Sequence, residues 1–118
     1  MSAQDNKILE KIDQLVKSTP VILFMKGTRD FPHCGFSARV VHLLNKLDVD
    51  FIDIDILESD ELRQGIKVYT DWPTTPQLYI NGQFIGGCDI VTEMHQTGEF
   101  EKLLQKEKIA YKKENHSN

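Results

Sequence analysis

The feature that most constrains the fold is a strand-to-helix turn with a cysteine on it. Val21-Ile22-Leu23-Phe24-Met25 is an apolar run bounded by Pro20 and by Lys26-Gly27, short enough and closed sharply enough to be a buried strand. Downstream, Phe36, Val40, Leu43, Leu44 and Leu47 recur at helical spacing, so the chain passes through a loop and enters a helix at Cys34, with Phe36 expected as the first core residue of that helix. A helix start presents backbone N–H groups that lack intrahelical partners, together with the positive end of the helix dipole. Both favour thiolate over thiol. Three residues after Cys34, where a dithiol motif carries its second cysteine, stands Ser37. Cys34 therefore has no adjacent thiol with which to close a disulfide.

The rest of the chain is regular around this turn. Ile8, Leu9, Ile12, Leu15 and Val16 follow helical spacing after Asp5 and stop near Ser18-Thr19-Pro20, giving an amphipathic helix that should cover a sheet. Phe51-Ile52-Asp53-Ile54-Asp55-Ile56 alternates apolar and acidic residues and reads as a second strand. A helix lies between the two strands, so they are expected to pair parallel as a right-handed βαβ unit. Ser59-Asp60-Glu61 offers an N-cap and an acidic first turn to a helix carrying Leu62, Ile66 and Tyr69. Thr70 to Pro76 breaks that helix, Gln77-Leu78-Tyr79-Ile80 resumes as strand, and Asn81-Gly82 predicts a hairpin into Gln83-Phe84-Ile85-Gly86. Asp89 is a candidate N-cap for a short helix through Ile90, Val91 and Met94, and Phe100, Leu103 and Leu104 mark a last helix. The succession is α-βαβ-α-ββ-α-α.

Composition excludes several functions. With 118 residues, 40% hydrophobic and 27% charged, the chain is expected to form one domain over 1–107 and a polar, mobile tail over 108–118. A net charge of −4 gives no overall drive toward nucleic acid or anionic membrane. The longest apolar run, Val21 to Met25, is far short of the roughly 20 residues that span a bilayer. A soluble protein without a secretory signal is expected, and a transit peptide already removed would leave no trace. The two cysteines do not make a disulfide scaffold and suit a reducing compartment: the cytoplasm, or an organellar matrix after transit-peptide removal. His33, His42, His95 and His116 show no metal-ligand spacing.

Met25-Lys26-Gly27, Cys34-Gly35-Phe36-Ser37, Trp72-Pro73-Thr74-Thr75-Pro76-Gln77 and Gly86-Gly87-Cys88-Asp89, in this order and spacing, resemble the monothiol glutaredoxins of the Cys-Gly-Phe-Ser class. The match runs from about Ile8 to Leu104, and linked motifs are far more specific than any one of them. The resemblance implies an α/β thioredoxin fold, a four-stranded mixed sheet flanked by helices on both faces, which the order of elements fits independently. It also implies a glutathione site. Glutathione is an extended tripeptide with two carboxylates, an ammonium and a central thiol, so its site needs cations at one end, a strand-like edge in the middle and a charged cap at the other. By resemblance, Lys26, Arg63 and Lys67 face the glycyl carboxylate; taken alone, Arg63 and Lys67 read as solvated surface cations. Thr75 precedes Pro76, which the family holds as a cis proline, freeing the Thr75 backbone N–H and C=O to pair with the cysteinyl residue. Cys88 and Asp89 open a helix whose free N–H groups suit the γ-glutamyl carboxylate, with the Asp89 side chain on the ammonium.

Other readings of single residues stay open. Asp89 is equally an ordinary N-cap, Cys88 either a small buried residue or a resolving thiol for Cys34, and Trp72 a cover for the loop before Pro73 rather than a direct ligand. One departure stands out: position 29 is Arg where the family usually carries proline, so the loop loses a φ restraint and gains a cation. That leaves either a looser loop or an extra charge favouring the Cys34 thiolate.

The resemblance implies a carrier of [2Fe-2S] clusters in iron–sulfur assembly and iron homeostasis. A cluster needs four ligands, and Cys34 is the one cysteine well placed to supply one. Two chains would share the cluster through Cys34 and two glutathiones, giving a homodimer when loaded and a monomer when empty. The cluster then passes to acceptor proteins, with a BolA-like partner replacing one subunit in many relatives. The alternative is a glutathione-dependent thiol-disulfide oxidoreductase in which Cys34 takes the glutathionyl group from a mixed disulfide. A redox or iron sensor acting through a partner is a third reading.

Overall fold

The computed structural model describes residues 3–72 and 74–112, with side chains from residue 7 onward. Pro73, His116 and the rest of the expected tail beyond residue 112 lie outside the described residues. The elements follow the order α1 (Ala3–Ser18), β1 (Val21–Met25), α2 (Gly35–Lys46), β2 (Ile52–Asp55), α3 (Asp60–Thr70), β3 (Gln77–Ile80), β4 (Gln83–Gly86), α4 (Cys88–Thr97) and α5 (Glu99–Lys106), with one turn of tighter helix at Ile56–Glu58 before α3.

The apolar run Val21 to Met25 becomes the strand next to the centre of a four-stranded sheet of order β2-β1-β3-β4. β1 pairs parallel with β2, Phe24 opposite Ile54, and antiparallel with β3, Leu23 opposite Leu78. All five of its residues are buried, because helices cover both faces. Ile22 and Phe24 pack with Ile12 and Val16 of α1 and Ile66 of α3. Val21, Leu23 and Met25 pack on the other side with Val40 and Leu44 of α2, Val91 of α4, and Phe100 and Leu104 of α5. A strand buried on both faces has no polar positions to alternate, which is why its sequence is an unbroken run.

Local chemistry closes several of these elements. Ser59 Oγ accepts from Leu62 N–H at 3.2 Å and caps α3, the role expected of it. Asn81 and Gly82 both take positive φ, 48° and 84°, as a two-residue hairpin turn demands. Gly65 is where α1 crosses α3: a Cβ there would stand 3.1–3.2 Å from Ile8 and Ile12 side-chain atoms.

Three expectations are corrected. Asp89 is not the N-cap of α4: the helix starts one residue earlier, so Gly87 takes the cap position without a side-chain cap and Asp89 falls in the first turn. Phe36 is not a core residue: it is 60% exposed, because the buried stripe of α2 runs through Ser37, Val40, Val41 and Leu44. The expected tail is docked over 109–112, where Ile109 and Tyr111 lie against the core. There Lys112 N–H donates to Leu47 O at 2.6 Å and Gln105 Nε2 to Tyr111 Oη at 2.7 Å.

Candidate functional site at the start of α2

The Cys34 loop is a tight ring tied to β2. His33 N–H donates to Lys26 O at 2.9 Å, and Thr28 and Phe31 exchange backbone hydrogen bonds at 3.1–3.2 Å. Gly27 turns the chain at φ 89°, with no room for a Cβ, which would stand 2.5 Å from Phe31 O. The acidic positions of β2 are the anchors: Asp55 accepts from Gly27 N–H at 2.9 Å and Asp53 from Arg29 N–H at 2.9 Å. Arg29 is committed to this anchoring. Its Nε donates to Asp53 at 3.3 Å, its Nη2 donates to the Phe51 carbonyl, and the guanidinium lies 3.9 Å over the Phe51 ring. Of the two readings of Arg29, neither a looser loop nor a cation serving the thiolate describes what it does: the side chain replaces a backbone restraint with a latch onto β2.

Cys34 is the N-cap of α2, in extended backbone conformation, and its carbonyl accepts from Ala38 N–H at 2.9 Å. The thiol is lowered below the ordinary cysteine range, chiefly by the Ser37 backbone N–H, then by the Phe36 N–H, the nearby Lys26 charge and the Ser37 hydroxyl, against an opposing effect of burial. Ser37 is fully buried and its Oγ also accepts from Lys26 N–H at 3.3 Å. The hydroxyl thus joins the end of β1 to the thiol. Sequence reasoning saw Ser37 only as a missing cysteine; its place three residues into the helix, facing back to the cap, was the available signal.

A cavity of about 760 Å³ opens beside Cys34. Lys26, Arg63, Lys67, Thr75, Cys88 and Asp89 all line it, so every site residue singled out from sequence meets in one place. Phe36, Leu57, Trp72 and Ile90 add apolar wall. Lys26, Arg63 and Lys67 come from the end of β1 and from one face of α3, at i and i+4. Arg63 is also engaged with Asp60, Nη2 to Oδ1 at 2.8 Å. At the other end, α4 begins at Cys88 with no side chain capping its first N–H groups. The Thr75–Pro76 bond is cis. Cys88 is buried and Cys34 half-buried; both are free thiols.

The sequence pattern of the glutaredoxin family matches residues 21–85. A probable monothiol glutaredoxin 2 of Rickettsia typhi is 54% identical over 103 residues, covering 87% of this chain and 93% of that protein.

The chain belongs to the monothiol glutaredoxins.

A chloroplastic monothiol glutaredoxin-S14 of Arabidopsis thaliana is 53% identical over 105 residues, covering 89% of this chain and 61% of its own length. A buckwheat glutaredoxin–glutathione complex superimposes with a TM-score of 0.80 at 29% identity, covering 92% of this chain and 96% of that one. The fold of this glutaredoxin is accordingly the thioredoxin fold. Among its described residues no group of three or more His, Cys, Asp or Glu side chains is placed to hold a metal ion. Nor is any described helix long and apolar enough to cross a membrane.

Proposed function

We propose that this monothiol glutaredoxin binds glutathione in the Cys34 cavity and uses it to carry a [2Fe-2S] cluster as cargo between two subunits. The observation that carries the reading is the donor set. One half-buried thiol of lowered pKa lines the cavity, with Cys88 buried in its wall, and among the described residues no group of three or more His, Cys, Asp or Glu side chains is placed to hold a metal ion. A four-ligand cluster therefore draws one thiolate from each of two chains and the others from two bound thiols. Glutathione suits the remaining places. Lys26, Arg63 and Lys67 form the cationic end for its glycyl carboxylate, the Thr75 backbone pairs with its cysteinyl residue, and the α4 start with Cys88 and Asp89 receives its γ-glutamyl end. The solved buckwheat relative is itself a glutathione complex.

The chain's own residues make the handover possible. Ser37 N–H, Phe36 N–H and Lys26 favour the thiolate of Cys34, and a ligand held by hydrogen bonds and ion pairs leaves more readily than a side chain. The loaded form is a homodimer and the empty one a monomer, with a BolA-like protein able to take one subunit's place. Iron–sulfur acceptor proteins are the recipients, and iron homeostasis is the process served. Neither nucleic acid nor membrane takes part, and the protein works in the cytoplasm or an organellar matrix. Anaerobic reconstitution with iron, sulfide and glutathione tests this. Visible charge-transfer absorption and a larger hydrodynamic size should arise together and both be lost in Cys34→Ser; a colourless wild type under these conditions refutes it.

The lowered thiol also supports glutathione-dependent oxidoreductase chemistry at the same site. The Cys34 thiolate attacks the glutathione sulfur of a mixed disulfide and the substrate leaves as thiolate. A second glutathione thiolate then attacks Cys34–S–glutathione, releasing glutathione disulfide and restoring Cys34. Rapid Cys34-dependent turnover of a glutathionylated peptide would favour this reading.

A further inference from the structure

Gln77 opens β3 directly behind the cavity wall, and it is fully buried. A buried primary amide has two N–H donors and two acceptor lone pairs to satisfy, and here both donors and the oxygen are engaged. Its Nε2 donates to Trp72 O at 3.2 Å and to Thr74 O at 3.1 Å. Its Oε1 accepts from Tyr79 Oη at 3.1 Å and has Thr70 Oγ1 beside it at 3.1 Å. The one Thr70 hydroxyl hydrogen faces two acceptors, Ile66 O at 2.8 Å and Gln77 Oε1 at 3.1 Å, and the shorter bond goes to Ile66. Burial pushes the Tyr79 hydroxyl up to about 12, so it remains a donor at neutral pH.

The geometry assigns Gln77 a positioning role: its amide clamps the Trp72 and Thr74 carbonyls onto the end of α3 and the start of β3, and so fixes the Thr75 backbone edge and the Trp72 indole that line the cavity. The assignment rests on the glutathione site proposed above for one of its two readouts. Without the clamp, two carbonyls on the cavity wall lose their buried donors and the Thr75 edge must be ordered anew at each binding event. An edge organised before the ligand arrives binds more tightly than one organised on arrival. The residue acts through others and touches no reacting atom.

Two variants separate this role from general destabilisation. Gln77→Met keeps the volume and removes both donors. Gln77→Glu keeps the shape, and when ionised it turns a second oxygen toward the Trp72 and Thr74 carbonyls with no hydrogen to give. Protonated, it can donate to one of them. Burial raises a carboxyl by up to about 3–5 units, and the Tyr79 and Thr70 hydroxyls facing this one offset part of that rise. Trp72 is the chain's single tryptophan, so its emission reports the clamp with or without ligand. At pH 8 both variants should show red-shifted emission and glutathione binding weakened by about tenfold. At pH 5 Gln77→Glu should return part-way to wild-type emission, while Gln77→Met and wild type show no such return.

Wild-type emission and affinity in both variants, or a Gln77→Glu defect indifferent to pH, overturns the assignment. Should Gln77→Glu fail to fold, Gln77→Met decides by the same pH 8 readouts. A wild type that binds no glutathione removes the site proposed above, and the emission arm still decides the role of Gln77.

Discussion

Replacing Arg29 by alanine should cost stability by an amount that follows from its contacts. The ion pair with Asp53 is partly screened, with side chains 36% and 23% exposed, so only about 0.5 kcal/mol is assigned to it. The guanidinium stacked on Phe51 contributes about 0.5–1 kcal/mol. The charged donor to the Phe51 carbonyl contributes about 1 kcal/mol at this partial exposure. These share one group and do not add fully, so Arg29→Ala should lose about 1.5–2 kcal/mol. For a chain of this size that is a fall in Tm of about 5–10 °C. Arg29→Lys should recover less than half, because an ammonium cannot reach the carboxylate and the carbonyl together while stacking on the ring. Arg29→Pro restores the residue common in the family, yet should cost more than Arg29→Ala, since it also deletes the N–H donated to Asp53 at 2.9 Å. Urea melts followed by Trp72 fluorescence measure all three as a shift in midpoint at constant slope. An Arg29→Ala protein within about 0.5 kcal/mol of wild type, or Arg29→Pro more stable than Arg29→Ala, refutes the latch.

Two further outcomes follow from the loop. Alkylation of Cys34 against pH should show a midpoint below that of an ordinary thiol, moved upward in Ser37→Ala, which keeps the dominant Ser37 N–H but loses the hydroxyl. Because the folded pKa is depressed, the associated stability is present above the unfolded thiol pKa and is lost as pH falls through the folded value; a midpoint unmoved by Ser37→Ala contradicts the hydroxyl's part. Gly27→Ala should destabilise by about 2 kcal/mol or more, through positive φ and a Cβ 2.5 Å from Phe31 O, whereas Gly35→Ala, with nothing within 4 Å, should fall within about 0.5 kcal/mol of wild type in the same melts.

Sequence made the elements legible wherever one physical signal dominated. The unbroken run of β1, the Ser59 cap and the Asn81-Gly82 hairpin each have a local cause, and each stands where that cause puts it. That Lys26, Arg63, Lys67, Thr75, Cys88 and Asp89 would share one cavity was legible only through the resemblance of four linked motifs to a family, since Arg63 and Lys67 taken alone read as solvated surface cations. What escaped was set by tertiary geometry. Phe36 has the spacing of a core residue, but the helix is rotated so that Ser37 faces inward instead. Asp53 and Asp55 look like the solvent side of an amphipathic strand; only the folded chain shows that the loop carries N–H groups to them. Gln77 reads as a polar residue at a strand start, and its burial depends on a loop and two helix-end and strand partners that no linear pattern brings together. Ile109 and Tyr111 are too few and too widely spaced to announce docking, which the Leu47 carbonyl completes.

The central claim is that one thiol per chain must be completed from outside. Native mass spectrometry of the anaerobically reconstituted protein tests it most directly. The account predicts a single loaded species of two chains, one [2Fe-2S] cluster and two glutathiones, falling apart to free chains when glutathione is removed. A cluster retained by a single chain, or by two chains without glutathione, would contradict it.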